Sequence, residues 1–206
     1  MSGIFPATPA PETIQLGSTT PTFTSVTHSL RRQVRARGVQ QWSFHLAYPP
    51  LNRSEHATLN AFCLAQRGQL GRFSFVLPIH SVPLGAASGS PRVDGSGQLL
   101  RDSNGMMRVQ TKGWTPSVNR ILRSGDFIKF NGHSKAYALI ADADSDATGS
   151  ALLTIEPSPI SPLIDDEAII VADVPFTCAL AADNLSVKLS GGPWYKGIEL
   201  SLVEVL

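Results

Sequence analysis

Apolar and polar residues alternate with period two along much of the chain, and one segment breaks that rhythm. Trp42, Phe44, Leu46 and Tyr48 alternate with Ser43, His45 and Ala47, while Phe73, Phe75 and Leu77 alternate with Arg72, Ser74 and Val76. Each run predicts a strand with one buried face. Between them Leu59, Phe62, Cys63 and Gln66 recur at helical spacing, which predicts a helix over residues 53–66 whose apolar stripe faces a sheet. The flanking residues agree. Pro49 and Pro50 stop the preceding strand, and Asn52 with Glu55 makes a capping box. Arg67 places a cation near the negative helix end, and Gly68 suits a left-handed C-terminal cap.

The same patterning extends in both directions. Residues 22–37 read as one long strand, with Leu30, Arg32, Val34 and Ala36 on one face and Arg31, Gln33, Arg35 and Arg37 on the other; Gly38 begins a turn into the Trp42 strand. Residues 1–21, with Pro6, Pro9, Pro11 and Pro21, favour an extended arm. The stretch 85–105, rich in Gly, Ser, Asp and Asn, reads as an exit from this first region. Beyond it, MMRVQT, DFIKFN, KAYALI, ALLTI and EAIIV predict short strands of a small closed β-barrel. Alternation resumes at Phe176, Cys178 and Leu180, continues through Leu185, Val187 and Leu189, turns at Gly191–Pro193, and ends with Trp194, Ile198, Leu200 and Leu202. These last strands need a partner sheet. The expected fold is therefore mostly β with one α-helix: a split β-sandwich or barrel formed by residues 1–87 and 174–206, with a small β-barrel, residues 88–173, inserted into it.

Composition narrows the function classes. A chain of 206 residues that is 42% hydrophobic can bury a core. No apolar run approaches the roughly 20 residues that span a bilayer, so no membrane contact is expected, and MSGIFPATPAPETIQLG lacks the basic start and apolar stretch of an export signal. Cys63 and Cys178 are the two cysteines, each on the apolar face of a predicted element, and read as buried thiols suited to a reducing compartment. The net charge of +1 argues against a general polyanion binder. Its distribution is uneven, at +5 over residues 1–87, −3 over 88–173 and −1 over 174–206, so two surfaces with different tasks are expected.

Candidate chemistry is sparse. Asp142, Asp144 and Asp146 occupy the first three ligand positions of a calcium-loop pattern, but Ala147 stands where that loop needs glycine and Leu153 where it needs a bidentate Glu. An acidic solvated turn is the expected reading, with no metal site. His28, His45, His56, His80 and His133 show no compact ligand spacing. The Gly95–Gly97 segment lacks a dinucleotide fingerprint, and no nucleophile elbow occurs. No catalytic residue, no cofactor and no enzymatic activity are expected. Arg31, Arg35 and Arg37 form a row that suits either a phosphate backbone or, as is expected because no aromatic residue interleaves with them in sequence, an exposed strand face or charged subunit contact. Trp114 and Tyr137 would suit stacking on a sugar, but strand aromatics of this kind belong more naturally to a core.

Four stretches carry a family resemblance: WSFHLAYPPLNRSEHATLNAFCLAQRGQLGRFSFVLP at 42–78, WTPSVNRILRSGDFIKFNG at 114–132, ADADSDATGSALLTIEPSPISPL at 141–163, and IELSLVEVL at 198–206. The sequence resembles the distal tail proteins (the Dit family) of long-tailed, non-contractile bacteriophages, or siphophages. That resemblance implies a belt domain closing into a homohexameric ring, with a peripheral barrel of the oligonucleotide/oligosaccharide-binding (OB) type inserted. It implies a virion structural protein at the tail tip, assembled in the bacterial host cytoplasm, that joins the tail tube protein to the tail-tip hub protein. Tape-measure protein and fibres are further possible contacts, and DNA would pass the channel without specific binding. Two alternatives stay open, a virion carbohydrate-binding module for host attachment and another tail-tube ring component.

Overall fold

A computed structural model describes residues 3–95, 100–101, 105–184, 186, 188–189 and 193–205, with only the backbone of Lys188 and Leu189. The chain is mostly β with one α-helix, and one of its sheets curls into a nearly closed barrel. It divides into two compact units, Met1–Phe75 with Thr177–Leu206, and Val76–Phe176. The first part of the chain contributes β1 (Thr13–Thr19), β2 (Thr22–Val26), β3 (Arg32–Ala36), β4 (Gln41–Ala47), α1 (Arg53–Ala65) and β5 (Phe73–Val76). The middle contributes β6 (Gly89–Val93), β7 (Leu100–Arg101), β8 (Met107–Trp114), β9 (Phe127–Phe130), β10 (Tyr137–Leu139), β11 (Ala151–Glu156) and β12 (Ile169–Ile170). The C-terminal part adds β13 (Pro175–Leu180), β14 (Lys188–Leu189), β15 (Tyr195–Lys196) and β16 (Glu199–Glu204).

Five strands from both ends of the chain form one sheet in the order β1-β4-β16-β13-β5. The alternation read from sequence places Trp42, Phe44, Leu46 and Tyr48 of the β4 segment, Phe73 and Phe75 of β5, and Leu200 and Leu202 of β16 in the core. Helix α1 lies on this apolar side: Phe62 meets Phe73 edge-on at 5.1 Å between centroids, and Leu59 and Cys63 are buried. Burying one large apolar side chain contributes roughly 1.5–3 kcal/mol, so this face anchors the unit. At the N-terminus of α1 the capping box is complete, with the Glu55 N–H donating to Asn52 Oδ1 and the Asn52 N–H donating to Glu55 Oε2, both at 2.9 Å.

Several expectations need correcting. Residues 22–37 are not one strand; a turn at Thr27–Arg31 folds them into a hairpin of β2 and β3, and β4 pairs instead with β1 and β16. The proline-rich arm contains the seven-residue strand β1, and Phe5 is buried against Phe62, Phe73 and Phe75. Helix α1 stops at Ala65, and the left-handed conformation begins at Arg67 (φ 54°), one residue before Gly68. The segment read as a loop exit holds strand β6, in which Pro91 sits at an irregular register between Gly89 and Arg92, the kind of place where a strand tolerates proline. Trp194 is 47% exposed and leaves the core that the alternation assigned to it. Leu185, Val187, Gly191 and Gly192 lie outside the described residues, as does the side chain of Leu189.

The second sheet runs β12-β9-β10-β11-β8-β6, with β7 also on β8. Its ends meet: the Val93 N–H donates to the Glu167 carbonyl, the Asp166 N–H donates to the Val93 carbonyl, and Arg92 bridges to Ala168. Closure removes strand edges, and the interior fills with Met107, Val109, Trp114, Ile128, Phe130, Tyr137, Leu153 and Ile155.

Candidate functional site

The β2–β3 hairpin forms a sheet of its own, and every residue from Thr22 to Val39 is exposed. Its register pairs Phe23 with Arg35, Thr24 with Val34, Ser25 with Gln33 and Val26 with Arg32. Because paired residues project to the same side, Phe23 and Arg35 share one face, and Thr24 and Val34 share the other. Arg37 joins the Phe23 face, its guanidinium carbon 4.5 Å from the centre of the phenyl ring. An exposed cation–π contact of this kind contributes about 0.5–1 kcal/mol. Arg31 sits instead in the turn, its N–H donating to Thr27 Oγ1 at 3.2 Å. Of the three arginines singled out in the sequence, two therefore flank an aromatic ring and the third marks the hairpin tip.

Phe23 is 58% exposed, and Val26, Leu30 and Val34 also stand out in solvent. The sequence pattern missed Phe23 because its proximity to Arg37 arises across the hairpin, not along the strand. Thr27, His28 and Ser29, a polar cluster between two β-prone runs, were the available turn signal. A two-stranded hairpin with apolar side chains on both faces and every residue exposed is marginal alone.

The acidic turn is organised by backbone N–H groups, its own and those of residues 120–124. The Ser124 N–H donates to Asp142 Oδ1, the Arg120 N–H to Asp144 Oδ1, and the Thr148 and Ser150 N–H groups to Asp146 Oδ1. The Ser124 amide and then the neighbouring arginines hold Asp142 below the usual carboxylate range, and the Thr148 hydroxyl followed by nearby backbone amides does the same for Asp146. Buried Asp126 gathers the N–H groups of Leu84, Gly85 and Arg123, a loop-pinning arrangement. Among the described residues no group of three or more His, Cys, Asp and Glu side chains is placed to hold a metal ion.

The histidines are dispersed. His28 lies in the exposed hairpin turn, His45 meets Ser201 Oγ at 3.1 Å, and His56 stacks on Tyr195. His80 packs edge-on against Phe127, and His133 Nδ1 lies 2.8 Å from the Tyr137 hydroxyl. Trp114 and Tyr137 are both inside the barrel, and the Trp114 indole N–H donates to Thr111 Oγ1 at 2.8 Å. Cys63 and Cys178 are buried free thiols, and burial pushes the Cys63 thiol up to about 11. No protein-family model matches this chain, and no curated protein matches it in sequence.

Proposed function

We propose that this protein is a structural virion subunit, a hexameric ring adaptor at the distal end of a siphophage tail that joins the tail tube protein to the tail-tip hub protein around the DNA channel. In this reading the unit built from both chain ends is the belt domain, and the inserted barrel is of OB type, with more strands than the five of the simplest such barrel. The observation that carries the proposal is the hairpin: Phe23 exposed beside Arg35 and Arg37 on one face, with Val26 and Val34 exposed on the other, makes a surface that gains stability only when covered. A projecting patch that meets a different patch on the next copy gives a head-to-tail contact, which closes into a ring without any catalytic group. Burial of Trp114 and Tyr137 withdraws the stacking platform that a sugar-binding barrel would have offered.

Light scattering on the purified protein tests this reading, with a mass several times 22.0 kDa expected. Phe23→Asp combined with Val34→Asp should return it to one subunit without lowering the temperature of unfolding. In virions carrying a tagged copy, label should concentrate at the tail tip. A single subunit in solution together with label elsewhere on the particle would overturn the proposal, and long filaments would favour a tube protein instead.

A further inference from the structure

Alternation along the chain assigns Trp194 to the core, yet its side chain is about half exposed and lines a cavity. Two backbone hydrogen bonds fix its place: the Leu51 N–H donates to the Tyr195 carbonyl and the Tyr195 N–H to the Leu51 carbonyl, both at 2.9 Å. The residue is thereby clamped to the segment that enters α1, where the His56 and Tyr195 rings stack at 4.1 Å. The N-terminal arm is tied to the same neighbourhood, the Glu12 N–H donating to the Ala47 carbonyl at 2.8 Å. These three segments enclose a cavity of about 600 Å³, walled by Pro9, Pro50, Ser54, Glu55, Thr58 and Trp194. Small-ligand sites fall at roughly 300–1,000 Å³ and combine apolar walls with a few converging polar groups.

The lining selects a chemistry. Among the described residues no lysine, arginine or histidine lines the cavity, so a phosphate or carboxylate finds no cation there. The start of α1 does not substitute for one, because the Glu55 N–H is already taken by Asn52 Oδ1 and the Glu55 carboxylate caps the same turn. Glu55 accepts the Asn52 N–H through Oε2, and Oε1 has no hydrogen-bond partner among the described residues. The Thr58 hydroxyl donates its proton to the Ser54 carbonyl at 3.2 Å, which leaves its oxygen to accept. Glu55, Ser54 and Thr58 therefore suit a ligand rich in hydroxyl donors, while the indole and the prolines suit one with a flat apolar face. A sugar ring has both.

We propose that this cavity binds a pyranose ring of a neutral glycan, stacked on Trp194 and hydrogen-bonded through its hydroxyls to Glu55, Ser54 and Thr58. The site belongs to a single subunit and is independent of the ring reading; it lies in the unit built from both chain ends, not in the barrel that buries Trp114 and Tyr137. An extended proline-rich peptide would use the same apolar walls, but its carbonyls need donors, and a carboxylate offers only acceptors.

Titration of the full chain with glucose, galactose, mannose, N-acetylglucosamine and their oligosaccharides tests the proposal. Of the three tryptophans, Trp42 and Trp114 are buried, so quenching of the fluorescence by acrylamide reports on Trp194. Saturable protection by at least one of these sugars is expected. Trp194→Ala should weaken that binding about tenfold or more, measured by calorimetry, with the unfolding temperature unchanged. Trp194→Phe should recover part of the loss, and Glu55→Gln, which keeps the capping acceptor, should lower affinity at constant helix content. Absence of protection by every sugar overturns the proposal, as does binding that Trp194→Ala leaves intact. Protection by oligoproline with none by sugars assigns the cavity to an extended peptide and overturns it as well.

Discussion

Tyr48 closes the β4 segment with its ring in the core and its hydroxyl without a hydrogen-bond partner among the described residues. Burial, and then the sulfur of Cys63 beside it, drives the phenol far above its ordinary range, so it stays neutral and unsatisfied. Deleting an unpaired buried polar atom removes a desolvation cost. Tyr48→Phe is therefore expected to stabilise the protein by about 1 kcal/mol, read as a higher urea midpoint with unchanged slope. Cys63 gives a kinetic counterpart: with its thiol pushed up to about 11, it should resist alkylation at neutral pH until the chain unfolds. Strand alternation located Tyr48, and helical spacing Cys63, in the core. Whether a phenol finds a partner depends on groups brought from distant segments, and no local pattern carries that.

Helix α1 shows where element-level signals hold and where they fail. Its start was legible because the cap is local, with Asn52 and Glu55 satisfying each other's backbone N–H groups. Asn52→Ala is expected to cost about 1 kcal/mol, measured by thermal unfolding, with a smaller loss for Asn52→Asp. Its end falls within a residue of the expected one, but Arg67, ahead of Gly68, takes the first left-handed position. The chain then returns so that the Gly71 N–H donates to the Gln66 carbonyl at 2.9 Å, and a Cβ at Gly71 would lie 2.8 Å from Gln66 Cα. Gly71→Ala should accordingly lower the unfolding temperature through a backbone clash, a loss that shortening the Gln66 side chain does not relieve. The hairpin was read through as one strand because period-two alternation continues across Thr27–Arg31, and only the polar run there marked the reversal.

At the scale of the whole molecule, closure of the barrel brings charges together from far apart in sequence. Lys112 lies within 3.2–3.9 Å of Asp94, Asp165 and Asp166, and Arg92 pairs with Asp166 at 3.1 Å. The Gly95 amide and then Lys112 hold Asp165 below its ordinary range, while the hydrogen bond that Lys112 donates to Asp165 raises Lys112. For Asp142, Asp146 and Asp165 the lowered folded value means their contribution is present above the ordinary carboxylate pKa of 3.8 and is lost as pH falls below it. For Lys112 the contribution is present below 10.5 and is lost above it. The near-ultraviolet signal of buried Trp114 should therefore weaken on acidification below about pH 4, and less so in 1 M salt for an Asp165→Asn variant, whose ion pair is already gone. The run of short strands made a barrel legible in the sequence, whereas its closing contacts between β6 and the segment before β12 were hidden by separation along the chain.

The chain leaves the five-stranded sheet after β5 and comes back to it at β13, and these two strands are neighbours in the ladder. The intervening hundred or so residues therefore begin and finish on adjacent strands. Replacing them by a short reverse turn, or by an unrelated fold with closely spaced termini, should leave Phe44, Phe73 and Leu202 packed as before. Such an exchange would renew one half of the chain while the core built from its two ends keeps its own residues.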